Sequence, residues 1–579
     1  MKIKHLFGLA VIAAMTASCS SNEDLGTAGP GTGTNETGVG YATFTINLPS
    51  VSGTRAADAG GAEMDEGTAK EYAVKSATAL IFQKYDSDEG SCKFVESVDL
   101  PTAAADWTDD TTGGITTTSK KLVAKLTNVD TKNQYYVLVL LNNNKTGGVK
   151  VPLPTVGQSY NEWNSQILTP SVDDLAADND FYMANAPLKG TASPTTLVTI
   201  DKENIYSTKE KAEAGTSAAT VYVERGVAKM SVTDPATKTV IDKATNTPTQ
   251  STVEFNNWAL DITNKKTYAV HNIDGLSTDF SAIWTTPRFI GTNSRVYWGK
   301  DPNYNLDNLN KTDKEAERQA EFNFINATSG INKTFAESAY CLENTFNLAN
   351  MYQGQTTRVI FKATYTPKDN AGNSLADAGG TFYTIGNMTT ILKEADLKTA
   401  VDAAATSVLP GCVVEYANLE KEGSHVITLE DIKENASSTT HLDGATKYVI
   451  GTGKKTGDEI VAAINAKLGL KAGRSEEMVG INTYLNGVTY YIARVRHFDD
   501  DKTPWSSGEA YNAENGKYLG RYGMLRNNSY VLEVGKVFGP GYPGVPPVDP
   551  TLPDDENEKY LSVSVKILSW AKRSHTVDL

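Results

Sequence analysis

Leu561-Ser562-Val563-Ser564-Val565-Lys566-Ile567-Leu568-Ser569-Trp570 alternates along its length, with Leu561, Val563, Val565 and Ile567 on one face and Ser562, Ser564 and Lys566 on the other. That is the period of a half-buried strand. A lone strand is not stable, so it must complete a sheet somewhere. Ahead of it stands Gly539-Pro540-Gly541-Tyr542-Pro543-Gly544-Val545-Pro546-Pro547-Val548-Asp549-Pro550, then Leu552, Pro553 and the acidic run Asp554-Asp555-Glu556-Asn557-Glu558. Proline cannot donate to a ladder and holds its neighbours extended, which reads as a semi-rigid spacer. At about 3.1 Å per residue it would span roughly 60 Å. Two readings stay open: the tail closes a sheet on its own body, or it leaves and adds a strand to another chain.

The chain has 579 residues, too many for one core, and two globular domains are expected. Threonine, asparagine, glycine and tyrosine are abundant and long apolar segments of helical period are few, which favours an all-β chain. A net charge of -15 argues against nucleic acid, which needs a basic face. An acidic surface by itself names no partner.

The first nineteen residues bear on the compartment. Lys2 and Lys4 form a basic start, Leu6 to Met15 an apolar core, and Thr16-Ala17-Ser18-Cys19 a small-residue site ending in cysteine. This resembles the signal peptide and lipobox of a bacterial lipoprotein, Thr16 standing where leucine is usual, and makes Cys19 the residue to be lipidated. An ordinary secretory signal would also take the protein out of the cytoplasm. The apolar segment is too short to span a bilayer, and no later stretch reaches about 20 apolar residues. Only Cys92, Cys341 and Cys412 follow. They form no disulfide framework and no metal spacing; at most one bond, such as Cys341 with Cys412, fits the count, and buried thiols are the expectation.

Residues 20–40 are small and polar, a flexible tether. Next, in Tyr41-Ala42-Thr43-Phe44-Thr45-Ile46-Asn47-Leu48, the residues Ala42, Phe44, Ile46 and Leu48 share one face, the cleanest strand of the first half. Beyond Pro49, the run Ser52-Gly53-Thr54-Arg55-Ala56-Ala57-Asp58 offers a protease an extended small-residue segment with one basic residue, Arg55. Strands are expected at Val74 to Phe82, Lys121 to Leu126 and Tyr135 to Leu141, the last apolar on both faces and therefore central. Thr220 to Val232 alternates again, and the domain boundary is placed within it. The second half continues with strands at Val253 to Ile262, Tyr268 to Val270, Arg295 to Trp298, Arg358 to Tyr365, Gly487 to Val495 and Ser529 to Val537. Two helices, Asn387 to Ala405 and Asp458 to Leu468, form no βαβ series and read as decorations on a sandwich. Lys311 to Ala320 reads as a solvated helix or loop.

Catalytic and metal signatures are not found. The six histidines are scattered, none paired at the spacing of a metal-binding helix. Gly451 to Gly457 lacks the spacing of a phosphate loop and reads as a turn. Asp86-Ser87-Asp88-Glu89-Gly90-Ser91 begins like a calcium loop but has Ser91 at the sixth position and Ser97 at the twelfth, so an acidic hairpin tip is the better reading. There is no Gly-x-Ser-x-Gly elbow.

Taken together, the lipobox cysteine, a first strand followed by a loop with one arginine, and a proline-spaced C-terminal strand resemble the type V pilins, the fimbrillins. Internal segments add to the likeness: Val223-Glu224-Arg225-Gly226-Val227-Ala228-Lys229, Cys341-Leu342-Glu343-Asn344-Thr345 ahead of Arg358-Val359-Ile360-Phe361-Lys362-Ala363, and Tyr522-Gly523-Met524-Leu525-Arg526-Asn527-Asn528-Ser529-Tyr530-Val531-Leu532. The ending through Trp570 to Val577-Asp578-Leu579 is most similar to the minor-fimbrium shaft subunit.

The resemblance implies two tandem transthyretin-like or immunoglobulin-like β-sandwich domains. It divides the chain into a lipoprotein signal (residues 1–18), a propeptide with a removable first strand (19–55), an N-terminal sandwich (56–225), a C-terminal sandwich (226–538), and a spacer with a donor strand (539–579). It implies no enzyme and no cofactor. A precursor lipidated at Cys19 would sit on the outer membrane, and an arginine-specific or trypsin-like protease would cut between Arg55 and Ala56. Loss of the strand carrying Ala42, Phe44, Ile46 and Leu48 would open a groove. Leu561, Val563, Val565, Ile567 and Trp570 of an identical subunit would fill it, building a head-to-tail fibre that supports adhesion and biofilm formation. Anchor and tip subunits of the same fibre are further expected partners, and the chain itself being an anchor or tip is the runner-up. From another class stands a surface lipoprotein that binds glycans or is a hydrolase, with Trp298 or Trp505 stacking on sugars.

Overall fold

The computed structural model describes residues 33–35, 37–48, 64–65, 67–102, 108–112, 115–130, 132–189, 194–279, 281, 296, 298–434, 448–450, 453–471, 479–498, 503–506, 517–553 and 561–570. The alternation in Ala42, Phe44 and Ile46 produces strand β1, Gly40–Asn47, in which all three are fully buried. With β2 (Ala77–Gln83), β3 (Lys93–Leu100), β4 (Thr108–Thr112), β5 (Ile115–Leu126), β6 (Tyr135–Leu141), β7 (Met183–Asn185) and β8 (Ala219–Arg225), it builds one large sheet in the order β3-β2-β6-β7-β8-β1-β5-β4. Phe44 and Ile46 of β1, Ile81 of β2, Val139 and Leu141 of β6 and Val221 of β8 all join a single apolar cluster, so strands far apart in this order enclose one core. As its continuous apolar run predicts, β6 is buried on both faces, from Val137 to Leu141.

A second sheet follows with β9 (Ala228–Val232), β10 (Thr237–Asp242), β11 (Thr247–Asp261), β12 (Arg358–Thr366), β13 (Val488–Arg494), β14 (Asn528–Val537) and β15 (Leu561–Trp570). Its order runs Met64–Asp65, β15, β14, β10, β11, β12, β13, with β9 parallel to β14 and antiparallel to Ala339–Cys341. Its core gathers Met230, Trp258, Phe361, Tyr491, Tyr530 and Leu532. The alternating stretch Thr220 to Val232, in which the domain boundary is placed, holds two strands, β8 in the first sheet and β9 in the second. Gly226 makes the break. A Cβ there would meet the Tyr182 ring at 2.7 Å, a distance no side chain tolerates.

The helices correct one expectation. Helix α1, Glu394–Val408, and helix α2, Gly457–Leu468, pack on each other and on a three-stranded sheet of Phe382–Ile385, Ile481–Tyr484 and Gly423–His425. Between them lies a core of their own, including Leu397, Val401, Ile460, Ile464 and Ile481. The insertion between β12 and β13 is therefore a packed unit rather than a decoration. Asn387 to Lys393 is not helical, because Leu392 returns to bridge Tyr383 and the helix starts only after Lys393. Thr456 caps α2 through the Glu459 amide, and Gly469, at a φ of 69°, ends it. Tyr268 to Val270 forms no strand, since only Thr267 bridges there, to Leu168; of the strand expected at Arg295 to Trp298, Arg295 and Tyr297 lie outside the described residues, and the Val296 amide donates to the Pro187 carbonyl at 2.9 Å. Lys311 to Ala320 holds a helix, Glu315–Glu321, whose Arg318 is buried rather than solvated. Among the described residues no helix is long and apolar enough to cross a membrane.

Candidate functional site

β1 occupies a slot with a neighbour on each side. Along one edge all eight residues pair antiparallel with β5, from Gly40 opposite Leu126 to Asn47 opposite Ser119. Along the other, Tyr41 and Ala42 face Tyr206 and Ile205, and Phe44 to Asn47 run parallel to Ala219 to Tyr222 of β8. Polar pegs fix the register. The Thr43 hydroxyl donates to the Ala212 carbonyl at 2.7 Å, the Ala218 amide donates to the Thr43 carbonyl at 2.7 Å, and Thr45 Oγ1 lies 2.6 Å from Ser217 Oγ. Leu48 is buried at the strand's end. Ala42, Phe44, Ile46 and Leu48 thus share one apolar core.

β15 is held differently. It folds back antiparallel onto β14, from Asn528 opposite Ser569 to Val537 opposite Leu561. Its register sets Val563, Val565 and Ile567 opposite Val534, Leu532 and Tyr530, whose own side chains are buried. On its outer edge only Ser569 and Trp570 are paired among the described residues, with Met64 and Asp65. Of the two readings of the tail, this structure takes the one in which it closes a sheet on its own body.

The proline-rich segment is a strap rather than a free spacer. Prolines cannot donate, but their carbonyls, and those of their neighbours, accept. Tyr491 Oη donates to the Gly539 carbonyl at 2.9 Å, Tyr484 Oη to Gly541 at 3.0 Å, and Arg358 Nη2 to Pro546 at 2.8 Å. Thr489 Oγ1 donates to the Pro540 carbonyl. Tyr490 and Tyr542 exchange both backbone bonds, and Gln353 donates through its amide to Leu552 and through Nε2 to Pro553. With residues 539–553 laid on the second sheet, only residues 554–560 join strap to β15, and these seven extend at most about 25 Å. Beneath the strap a cavity of 450 Å³ is lined by Asp261, Arg318, Arg358, Pro546 and Val548. Its arginines are engaged: Arg358 pairs with Asp261 at 2.8 Å, and Arg318 donates to the Leu309 carbonyl at 2.7 Å.

A buried polar network joins the two sheets. Glu71, on the short helix Ala69–Tyr72, is 2% exposed; its carboxylate accepts from Tyr340 Oη at 2.6 Å and sits 3.0 Å from Lys229 Nζ on β9. Arg225 Nε, on β8, donates to the Glu71 carbonyl at 3.0 Å. Burial, and then the adjacent Glu71 carboxylate, raise the Tyr340 phenol above its ordinary value. Nearby, His271 Nδ1 lies 2.8 Å from Glu224, and Arg526 Nε 3.3 Å from Glu343. No local motif announces this network, because its members come from distant stretches of the chain.

Of the sequence-derived sites, Cys19, Arg55 and Ala56 lie outside the described residues, as do the signal segment, the final residues 571–579, and His5, His441 and His575. Cys92, Cys341 and Cys412 are buried free thiols, so no Cys341–Cys412 bond forms. Burial pushes them up to about 11, 12 and 11. Trp298 is 1% exposed within a core with Tyr304, Phe346 and Tyr522, so it presents no stacking platform for sugars, while Trp505 is half-buried against the same cluster. The Asp86 turn closes on itself, Asp86 accepting from the Asp88 amide at 2.7 Å and the Ser91 hydroxyl at 3.1 Å.

Residues 482–576, which include β13, β14, the strap and β15, match the family model for major fimbrial subunit protein type IV, fimbrillin, C-terminal. Over this C-terminal segment the chain is similar to the fimbrillins. The search of curated proteins found no match for this chain. Among solved structures it is similar to a candidate cell adhesion protein from Parabacteroides distasonis ATCC 8503, at 10% identity over 92% of this chain and 99% of that one, with a TM-score of 0.38. A second candidate cell adhesion protein, from Bacteroides eggerthii DSM 20697, matches at 12% identity over 91% and 96%, with a TM-score of 0.32. A fimbrial assembly protein from Parabacteroides distasonis ATCC 8503 matches at 12% identity over 61% and 93%, with a TM-score of 0.27.

Proposed function

We propose that this chain is the shaft subunit of a type V fimbrium. It is exported as a lipoprotein acylated at Cys19, held on the outer membrane, cut between Arg55 and Ala56, and polymerised by donor-strand exchange into an extracellular fibre that supports adhesion and biofilm formation. The observation that carries this reading is the slot of β1. Because β1 is paired on both edges and its apolar residues are fully buried, removing it leaves two open strand edges over an apolar floor. Such a groove is costly in water and accepts a strand of alternating pattern. β15 has that pattern and has only one long-paired neighbour to leave.

The role is assembly with identical subunits head to tail, and with anchor and tip subunits at the ends. The precursor's own β1 blocks the slot until an arginine-specific or trypsin-like protease removes it. Trypsin treatment of the purified precursor tests this: a new N-terminus at Ala56 together with SDS-resistant ladders is the expected result. Arg55→Ala should stay full length and monomeric. Polymerisation of that variant at the wild-type rate would remove cleavage from the mechanism.

A further inference from the structure

Met64–Asp65 runs parallel to the end of β15, with Met64 opposite Ser569 and Asp65 opposite Trp570. Downstream, the chain reaches Glu71, which is pinned at the junction by Lys229 at 3.0 Å and Tyr340 at 2.6 Å. Lys229 stands on β9 opposite Ser529 of β14, and Ser529 stands opposite Leu568 of β15. Residues 64–71 therefore lead from the outer edge of β15 to β9, at the end of the sheet where β15 finishes. Upstream, residues 49–63, which contain Arg55, join Met64 to Leu48 at the end of β1.

In the uncut chain the Met64–Asp65 bridge is thus tethered on both sides, by β1 in the first sheet and by Glu71 at the junction. After scission at Arg55 it would be tethered at Glu71 alone, within a free N-terminal arm beginning at Ala56. A segment fixed at both ends loses less freedom on pairing than one with a free end, and strand termini fray first. We infer that Met64–Asp65 is a latch on the tail, holding the last residues of β15 against their own body until the chain is cut. One scission then does two things: it frees β1 to leave its slot, and it loosens the strand destined for the slot of a neighbour. The inference rests on the donor-strand reading and adds to it a coupling between the two ends of the chain.

Hydrogen exchange of full-length monomer carrying Arg55→Ala reads the latch directly. Adding Met64→Pro and Asp65→Pro, which disrupt strand pairing at both positions, should speed exchange of the amides of residues 565–570 by roughly three- to tenfold, the size expected for losing one or two backbone hydrogen bonds. Amides of β1 and of residues 530–534 should keep their protection, which controls for folding. In a second variant, twenty Gly and Ser residues inserted after Ala56 lengthen the upstream tether without a cut, and a smaller rise at the same amides is expected. Unchanged exchange of residues 565–570 in both variants overturns the latch. The two readings fail separately. Ladders from trypsin-cut wild type with unchanged exchange in both variants keep the fibre and sink the latch; faster exchange in the variants, with trypsin-cut wild type staying monomeric, keeps the latch and sinks the fibre.

Discussion

β1 and β15 carry the same alternating pattern at opposite ends of the chain, yet β1 is paired along both edges, whereas β15 is paired along one and, among the described residues, only at Ser569 and Trp570 on the other. Taking out an inner strand leaves a cleft lined by two unpaired ladders, whereas lifting an outer strand shortens a sheet by one and leaves a new edge of the same kind. Under the donor-strand proposal, this difference separates the strand to be removed from the strand that is to move. A second comparison reinforces it: β1 and β9 each lie parallel to one later strand and antiparallel to another, so the two halves share a local plan. Under the same proposal only β1 is cut away, since β9 is joined directly to β8 through Gly226 and Val227.

The largest expected contrast comes from deleting each strand. A chain beginning at Ala56 should polymerise or aggregate when produced, while a chain lacking residues 560–579 should remain a folded monomer that forms no ladders. Size-exclusion chromatography distinguishes them, and equal behaviour of the two deletions would erase the contrast. Next, Phe44→Ala should lower unfolding stability by about 3 to 5 kcal/mol in urea titration, because Phe44 is fully buried and its loss leaves a cavity. Val565→Pro should instead speed exchange in β15 and leave β1 protected. Smaller still, Tyr491→Phe, which removes the donor to the Gly539 carbonyl, should cost about 0.5 to 1.5 kcal/mol and raise exchange along the strap.

The last prediction is a pH slope with one source in the second half. Burial pushes the Asp301 carboxyl from 3.8 up to about 7, against the Thr345 and Asn303 amides that donate to it. The folded chain then binds that proton more tightly than the unfolded chain does. This contribution to stability is complete below pH 3.8 and is lost as pH rises to about 7. Asp301→Asn should flatten the slope, read as the difference between urea midpoints at pH 5 and pH 8, and an unchanged slope would assign it elsewhere.

Much of the architecture can be read from pattern alone. β1, β6, β12, β13, β14 and β15 each announce themselves by period or by an apolar run, because those signals come from burial within one segment. What stays hidden depends on partners far away in sequence. The break at Gly226 reflects the Tyr182 ring, the core between α1 and α2 is assembled from short strands, and Glu71 meets Lys229 and Tyr340 only after both sheets have formed. The alternation of β15 says that it needs a partner strand and cannot say whose. The strap escapes a reading by composition for a related reason: proline content describes what a backbone cannot donate and is silent on what its carbonyls accept.

That strap also decides how the molecule would bear tension. In the proposed fibre, where β15 would have left β14 for a neighbour, a pull on β15 would enter the body at Pro553 and travel along the carbonyl contacts to Gln353, Arg358, Tyr490, Tyr484 and Tyr491. Bonds set side by side along an extended segment share a load, whereas bonds in series break in succession. In the proposed filament, the strap would therefore spread a load over several contacts at once instead of passing it to one bond at a time.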